Sequence, residues 1–286
     1  MSAVAALLPD GRLHLQHGPI DCLCRAWGSP EDVRAAYRQA GAFFATVLDG
    51  LCDELPLLRT ALPTPPPSGP VARAMHAACM PFRDRFITPM AAVAGAVADA
   101  VLAAMVAGLD LSRAFVNNGG DIAFHLAPGE SLRCGLIADL ADVALDGAFL
   151  LTSEQPARGL ATSGRACKGH GGRSFSFGIA DAVTVLASTA AQADSAATMI
   201  GNAVDLPGHP AIDRRPASEI DPASDLGDRL ITFDVGPLGD DAIEAALDAG
   251  AMMADSMRRD GLIEAAVLAL RRHLRVRHPI LTLEPA

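Results

Sequence analysis

Between residues 90 and 109 the chain carries one charged side chain, Asp99, in an otherwise apolar run. A run of that length belongs either in a bilayer or at the centre of a folded domain. Its apolar content is mostly Ala and Gly rather than Leu, Ile and Phe, and a carboxylate near mid-membrane would be costly. Residues 89–108 are therefore read as a tightly packed buried helix. Half of the 286 residues are hydrophobic, so there is enough apolar surface to surround such a helix.

The flanking sequence supplies the surrounding elements. Residues 12–27 alternate apolar and polar on both sides of Gly18-Pro19, which predicts two strands joined by a turn. Ser29 followed by Pro30, Glu31 and Asp32 marks a capped helix start, with the helix running to about Leu51. The proline-rich stretch 62–70 cannot hold a helix or a central strand and is read as an extended surface connector. A helix over 71–78 follows it. Strands are expected at 114–117, 122–126, 132–138, 145–152, 182–187 and 230–235. Thr189 with Gln192 three residues on opens a further helix by the capping-box pattern. A helix is expected over 240–258, and the apolar run 262–270 suits strand or helix. Runs of strands beside runs of helices indicate an α+β fold rather than a parallel βαβ sheet.

The net charge of −10 argues against a dedicated nucleic-acid partner, since phosphate backbones require clustered Lys and Arg. The one basic cluster, residues 271–278, alternates with apolar residues and suits a solvated strand or helix face, or else an anion or nucleic-acid contact. Cys22, Cys24, Cys52, Cys79, Cys134 and Cys167 form no Cys-x-x-Cys pair and read as reduced, mostly buried thiols. The amino terminus lacks a basic region and a sustained apolar run, so no signal peptide is expected and the expected compartment is the cytoplasm.

Three segments could carry chemistry. Asn117-Asn118-Gly119-Gly120-Asp121 lies between two alternating stretches and suits a hairpin turn, because Asn and Gly tolerate positive φ. It also suits a ligand contact: adjacent glycines admit a planar or phosphorylated group, and Asp121 can accept hydrogen bonds from a ring or ribose. Asp194 and Thr198 stand four residues apart, on one face of the helix after Thr189. Two hard oxygen donors match Mg²⁺, which keeps waters and substrate phosphates as its other ligands, although the same pair also suits an ordinary solvated face. Residues 161–174 combine Thr162, Ser163 and Gly164 with Lys168 and Arg173. They suit a phosphate cradle or a flexible loop, and they lack the ending of a Walker loop. Ser163, Cys167, Ser174 and Ser176 lie nearby, but none has a base at a diagnostic spacing.

Taken in order, Val93-Ala94-Gly95-Ala96-Val97-Ala98-Asp99, Val116-Asn117-Asn118-Gly119-Gly120-Asp121-Ile122, Ala161-Thr162-Ser163-Gly164, Ala182-Val183-Thr184-Val185 and Ala193-Asp194-Ser195-Ala196-Ala197-Thr198 resemble the motif series of the ApbE family. That family comprises flavin transferases, which bind FAD with Mg²⁺ and move FMN onto a threonine of a target protein. The resemblance covers about residues 88–204. It implies a single ApbE-like domain over residues 1–286, of T-fold type with two intertwined α/β units. It also implies flavin or nucleotide contacts at Asn118, Gly119, Gly120 and Asp121, and metal ligation by Asp194, Thr198 and a main-chain carbonyl near Gly95 or Ala96. Two departures mark a divergent branch. The family's Lys-Gly pair is Ala94-Gly95 here, and its His-Ile-Ile-Asp-Pro-x-Thr-Gly segment is replaced by residues 172–181.

The leading expectation is an ApbE-like protein that binds a flavin (FAD or FMN) or another nucleotide diphosphate with Mg²⁺, and that transfers FMN or hydrolyses FAD if it is an enzyme. Its expected partner is a small molecule, with no nucleic acid and no membrane, and a homo-oligomer is compatible with this reading. The alternatives are a pterin- or purine-binding enzyme of the same fold and a non-catalytic oligomeric binding module.

Overall fold

The computed structural model describes residues 2–136, 147–164 and 175–277. The chain divides into two compact units whose segments interleave along the sequence. The first is Met1–Leu132, Leu150–Ala161 and Leu186–Ser195; the second is Arg133–Phe149, Thr162–Val185 and Ala196–Ala286.

The first unit opens with β1 (Val4–Leu7), β2 (Leu13–His17) and β3 (Ile20–Gly28). Strands β2 and β3 form the expected hairpin around Gly18, with Leu15 opposite Cys22 and Leu13 opposite Cys24. Both cysteines are fully buried, as two small apolar side chains would be. Strand β1, which pairs with β2, is an addition to the elements expected from periodicity. Helix α1 (Pro30–Asp53) starts where Ser29 accepts the Asp32 amide at 3.1 Å, and it buries Ala36, Ala40, Phe44, Val47 and Leu51 along one face. After the short α2 (Leu55–Leu58), the proline connector is tied down by Glu54. Its carboxylate receives the amides of Ser68 at 2.6 Å and Gly69 at 2.7 Å, just before α3 (Pro70–Cys79).

A 3-10 turn at Pro89–Ala92 leads into α4 (Val93–Val106). The span Pro89–Val106 is apolar and long enough to cross a membrane by composition alone, yet 44% of it is buried inside the protein. Gly95, Ala96, Val97, Ala98, Val101, Leu102 and Met105 are all covered. Small side chains let α4 lie against α1, α3 and the strands β4 (Leu111–Asn118) and β5 (Asp121–Leu126). It is a core helix, as its Ala and Gly content predicts.

Next come β6 (Ser131–Leu136) and β7 (Gly147–Thr152), a two-stranded sheet. They match the described parts of the segments expected at 132–138 and 145–152. Strand β8 (Gly159–Ser163) pairs antiparallel with β5 through Leu160 and Gly159. The periodicity assigned 161–163 to a loop, and the structure corrects this: the small residues Gly159, Ala161 and Ser163 hide a strand that has almost no alternation to read. Strand β9 (Ala182–Ala187) then runs into helix α5 (Ala190–Ala203). The Thr189 hydroxyl accepts the Gln192 amide at 3.1 Å, as the capping pattern requires, but the Gln192 side chain accepts from Ser188 and leaves the Thr189 amide aside. In this unit the strands lie in the order β1-β2-β3-β4-β5-β8.

In the second unit the strands lie in the order β9-β12-β13, with a separate ribbon besides. That ribbon, β10 (Ile212–Pro216) and β11 (Leu230–Val235) with the short α6 (Ala217–Ile220) between them, was foreseen only at β11. Helix α7 (Asp240–Arg259) packs on β12 (Ala265–Leu270) and β13 (His273–Arg277). The run 262–270 resolves to strand, because every residue of β12 is buried and no helical face is left for solvent. The basic cluster on β13 meets acids of α7: His273 with Glu244 at 2.9 Å, Arg275 with Glu244 and Asp248, and Arg277 with Asp255 at 3.2 Å. These three strand residues are engaged by α7 acids, which favours the solvated-face reading for the strand.

Candidate functional site

The Asn-Gly turn is a two-residue hairpin loop. Asn118 pairs with Asp121 across it, and Gly119 and Gly120 take φ of +65° and +108°. Both angles lie in the region where L side chains are strained, so glycine is set here by backbone geometry. A Cβ at either glycine would meet nothing within 4 Å, so neither is held by close approach of another chain segment. The Asn117 side chain closes the turn by accepting the Gly120 amide at 2.8 Å. The residues flanking the glycines point inward. Asn118 and Asp121 are each 8% exposed, and the Asn118 amide donates to the Ala94 carbonyl at 3.1 Å.

Asp121 reaches Asp194. The two carboxyl groups share a hydrogen bond, which requires one proton between them, and Asp194 also accepts the amides of Ala94 and Gly95, the latter at 3.1 Å. Those amides belong to the first turn of α4, where the helix has no internal acceptors. The converse contact runs between the same two helices. Asp99 on α4 accepts the amides of Ala190 and Ala191, the first two residues of α5, at 2.9 Å each. Each helix therefore has its N-terminus capped by a carboxylate from the other, a favourable arrangement for the helix dipoles.

The electrostatics follow from burial. Burial raises Asp194 to about 7, against the amides of Gly95 and Ala94 and the Asp121 bond, with the Asp99 charge raising it further. Burial likewise raises Asp99 to about 6, against its two amide bonds. No basic side chain is among the groups acting on either acid. The Cys79 thiol is pushed up by burial and then by the Asp194 charge, so it is inert.

The other expected residues fall as follows. Thr198 lies half-buried one turn beyond Asp194 on α5. Thr162 is in strand β8, its hydroxyl 2.9 Å from that of Thr184, and Ser163 follows it in the strand, so both belong to sheet rather than to a free loop. Gly164 takes φ of +136°, and a Cβ there would fall 2.7 Å from the Asp181 carbonyl oxygen. Lys168 and Arg173 lie outside the described residues. The Ala94 carbonyl, next to Gly95, accepts the Asn118 side-chain amide. Phe124 is 1% exposed, a core side chain rather than a stacking surface. Sequence reasoning missed the capping role of Asp99, for which the signal was present: a lone carboxylate in an apolar run must find partners.

Among the described residues no three His, Cys, Asp or Glu side chains gather into a metal cage. The Asp194 carboxylate already accepts the amides of Ala94 and Gly95 and bonds Asp121. Two hollows in the first unit lie elsewhere. One of about 90 Å³ is lined by Phe43, Val47 and Pro70, and one of about 280 Å³ by Leu126, Ser153 and Arg158.

Comparison with known proteins agrees on kinship and leaves the reaction open. UPF0280 proteins of Methanosphaerula palustris and Methanoregula boonei are 38% and 37% identical over 137 and 138 residues, covering 48% and 47% of this chain and 55% and 54% of theirs. The match thus spans about half the length of these curated relatives. Among solved structures, the apo flavinyl transferase ApbE of Pseudomonas stutzeri aligns over 96% of this chain and 93% of its own, at 12% identity and a TM-score of 0.42. The ApbE protein of Thermotoga maritima aligns over 68% and 52%, at 15% identity and a TM-score of 0.39. A family model described as AbpE bacteria matches residues 5–276, a span that holds the Asn-Gly turn and both carboxylate-capped helices, and the chain accordingly belongs to the AbpE bacteria family.

Proposed function

We propose that this protein binds a flavin or another nucleotide diphosphate together with Mg²⁺, in a T-fold-like arrangement of two intertwined units, and that its chemistry is cleavage or transfer at the diphosphate. The observation that carries this reading is the state of the two helix N-termini. Such termini are the usual seats for phosphate. Here Asp194 fills that of α4 and Asp99 fills that of α5, so two part-buried carboxylates without basic partners stand where an anion would otherwise sit. A diphosphate approaching Asp194 therefore needs a cation between them, and Asp194 with Thr198 is suited to hold one.

In this reading Asp194 and Thr198 hold the Mg²⁺, which supplies polarisation of a phosphoryl oxygen when bound. Asn118 fixes the α4 start through the Ala94 carbonyl, and Asp121 hydrogen-bonds Asp194. Gly119 and Gly120 leave an uncovered backbone beside them for a ring or ribose. Lys168 and Arg173 are the cations we assign to the phosphates, and Thr162, Ser163 and Gly164 lead into that segment. The ligand is a small molecule, and we assign the protein to the cytoplasm.

The test is direct. Purified protein is incubated with FAD in the presence of Mg²⁺ or of a chelator, and bound flavin and released FMN are followed by fluorescence and chromatography. Mg²⁺-dependent binding that Asp194→Ala abolishes is the expected result. No binding, no FMN release and no effect of Asp194→Ala would refute the reading.

A further inference from the structure

We infer that Asp99 is the positioning residue that sets where α5 presents Asp194, and so tunes the candidate cation site without touching the cation; its consequence for metal affinity rests on the proposed function. The two carboxylate oxygens of Asp99 each take one amide of the first turn of α5, Ala190 on Oδ1 and Ala191 on Oδ2. A carboxylate with both oxygens engaged at 2.9 Å fixes the distance and the rotation of that turn.

Steric contact fixes the same turn from two further sides. A Cβ at Gly95 on α4 would lie 2.2 Å from the Ala190 carbonyl oxygen, and one at Gly159 on β8 would lie 2.0 Å from the Ala190 nitrogen. Backbone contact keeps α5 from coming closer, and the Asp99 bonds keep it from moving away. Asp194 sits one turn along the same helix, so the position of its carboxylate relative to the Gly95 amide and Asp121 is inherited from that first turn. Asn at position 99 would keep one acceptor and turn an NH₂ toward the second amide, which breaks the two-point hold.

Asp99→Asn in the full chain tests this, with Mn²⁺ as the probe and amide exchange read residue by residue. We expect Mn²⁺ affinity to fall about tenfold or more, the range for partners one step removed from a metal. Amide protection should fall at Ala190 and Ala191, and also at Gly95, whose amide bonds Asp194 rather than the Asp99 carboxylate and so reports the Asp194 contact. Loss at Ala190 and Ala191 with Gly95 protection and Mn²⁺ affinity unchanged would make Asp99 a purely local cap and overturn the inference. If the wild-type protein binds no Mn²⁺, the proposed function fails, and the Gly95 amide alone decides the positioning role: lower protection supports it and retained protection overturns it. Should Asp99→Asn not fold, Asp99→Glu keeps both oxygens one methylene further out and is read by the same two signals.

Discussion

Replacing Gly159 by Ala puts a methyl group where the structure has backbone. The new Cβ would fall 2.0 Å from the Ala190 nitrogen, 2.1 Å from the Thr189 carbonyl carbon and 2.4 Å from the Ala190 Cα. Non-bonded carbons rest about 3.5 to 4.0 Å apart, so β8 and the first turn of α5 must separate by more than about 1 Å. No rotamer change helps, because all three neighbours are main chain. A shift of that size stretches the Ala190 and Ala191 bonds to Asp99 from 2.9 Å past useful length. Overpacking costs about 1 to 3 kcal/mol. A hydrogen bond to a charged acceptor contributes about 1.5 to 3 kcal/mol. With two such bonds stretched, together they give a destabilisation of at least about 4 kcal/mol, a large part of the roughly 5 to 15 kcal/mol that holds a domain folded. Gly119→Ala is the matched control: its Cβ meets open space, and only the φ of +65° is penalised, at about 1 kcal/mol. Urea unfolding followed by circular dichroism compares the midpoints of the two variants with wild type. Gly159→Ala unfolding within about 1 kcal/mol of wild type, or Gly119→Ala proving the more damaging, would refute the close-contact account.

Other outcomes follow from the same cluster. Asp99 and Asp194 have folded pKa values of about 6 and about 7, above the ordinary 3.8. Their contribution is full below about pH 4 and is lost as pH rises through 6 to 7. Unfolding midpoints should therefore decline between pH 5 and pH 8, with a shallower decline in Asp194→Asn; a rise across that window, unchanged in the variant, would contradict the assignment. Asp194→Asn should also match or exceed wild-type stability at pH 8 while losing the proposed Mg²⁺-dependent flavin binding, because it removes a part-buried charge along with the proposed cation ligand. Asn118→Ala, which frees the Ala94 carbonyl, should cost about 1 kcal/mol in urea unfolding. Arg214→Ala strips the largely buried Asp205 of its partner and should cost about 3 kcal/mol by the same measurement.

Much of the fold was legible because it depends on neighbours in the chain. Ser29 caps α1 three residues on, Gly119 and Gly120 take the positive φ of a tight turn, and β2, β3 and β9 are bounded by local alternation or by a cap. The α+β class and the buried character of α4 follow from the same short-range patterns. Strand β8 did not, because a stretch of small residues has no alternation, and neither did β10, whose polar sequence resembles a loop until β11 pairs with it. For the candidate site, the spacing of Asp194 and Thr198 on one helix face was visible. What faces them was not. Asp99 lies 91 residues before the amide of Ala190 that it caps, and Gly95 lies 99 before the carboxylate of Asp194 that its own amide meets. Helical and strand periods determine which face of its own element a side chain occupies. Only the packing of α4, α5 and the β4–β5 hairpin in three dimensions decides that two carboxylates, two helix starts and an Asn-Gly turn meet at one point, since long-range contacts are set by which apolar faces bury one another and leave no short-range signature.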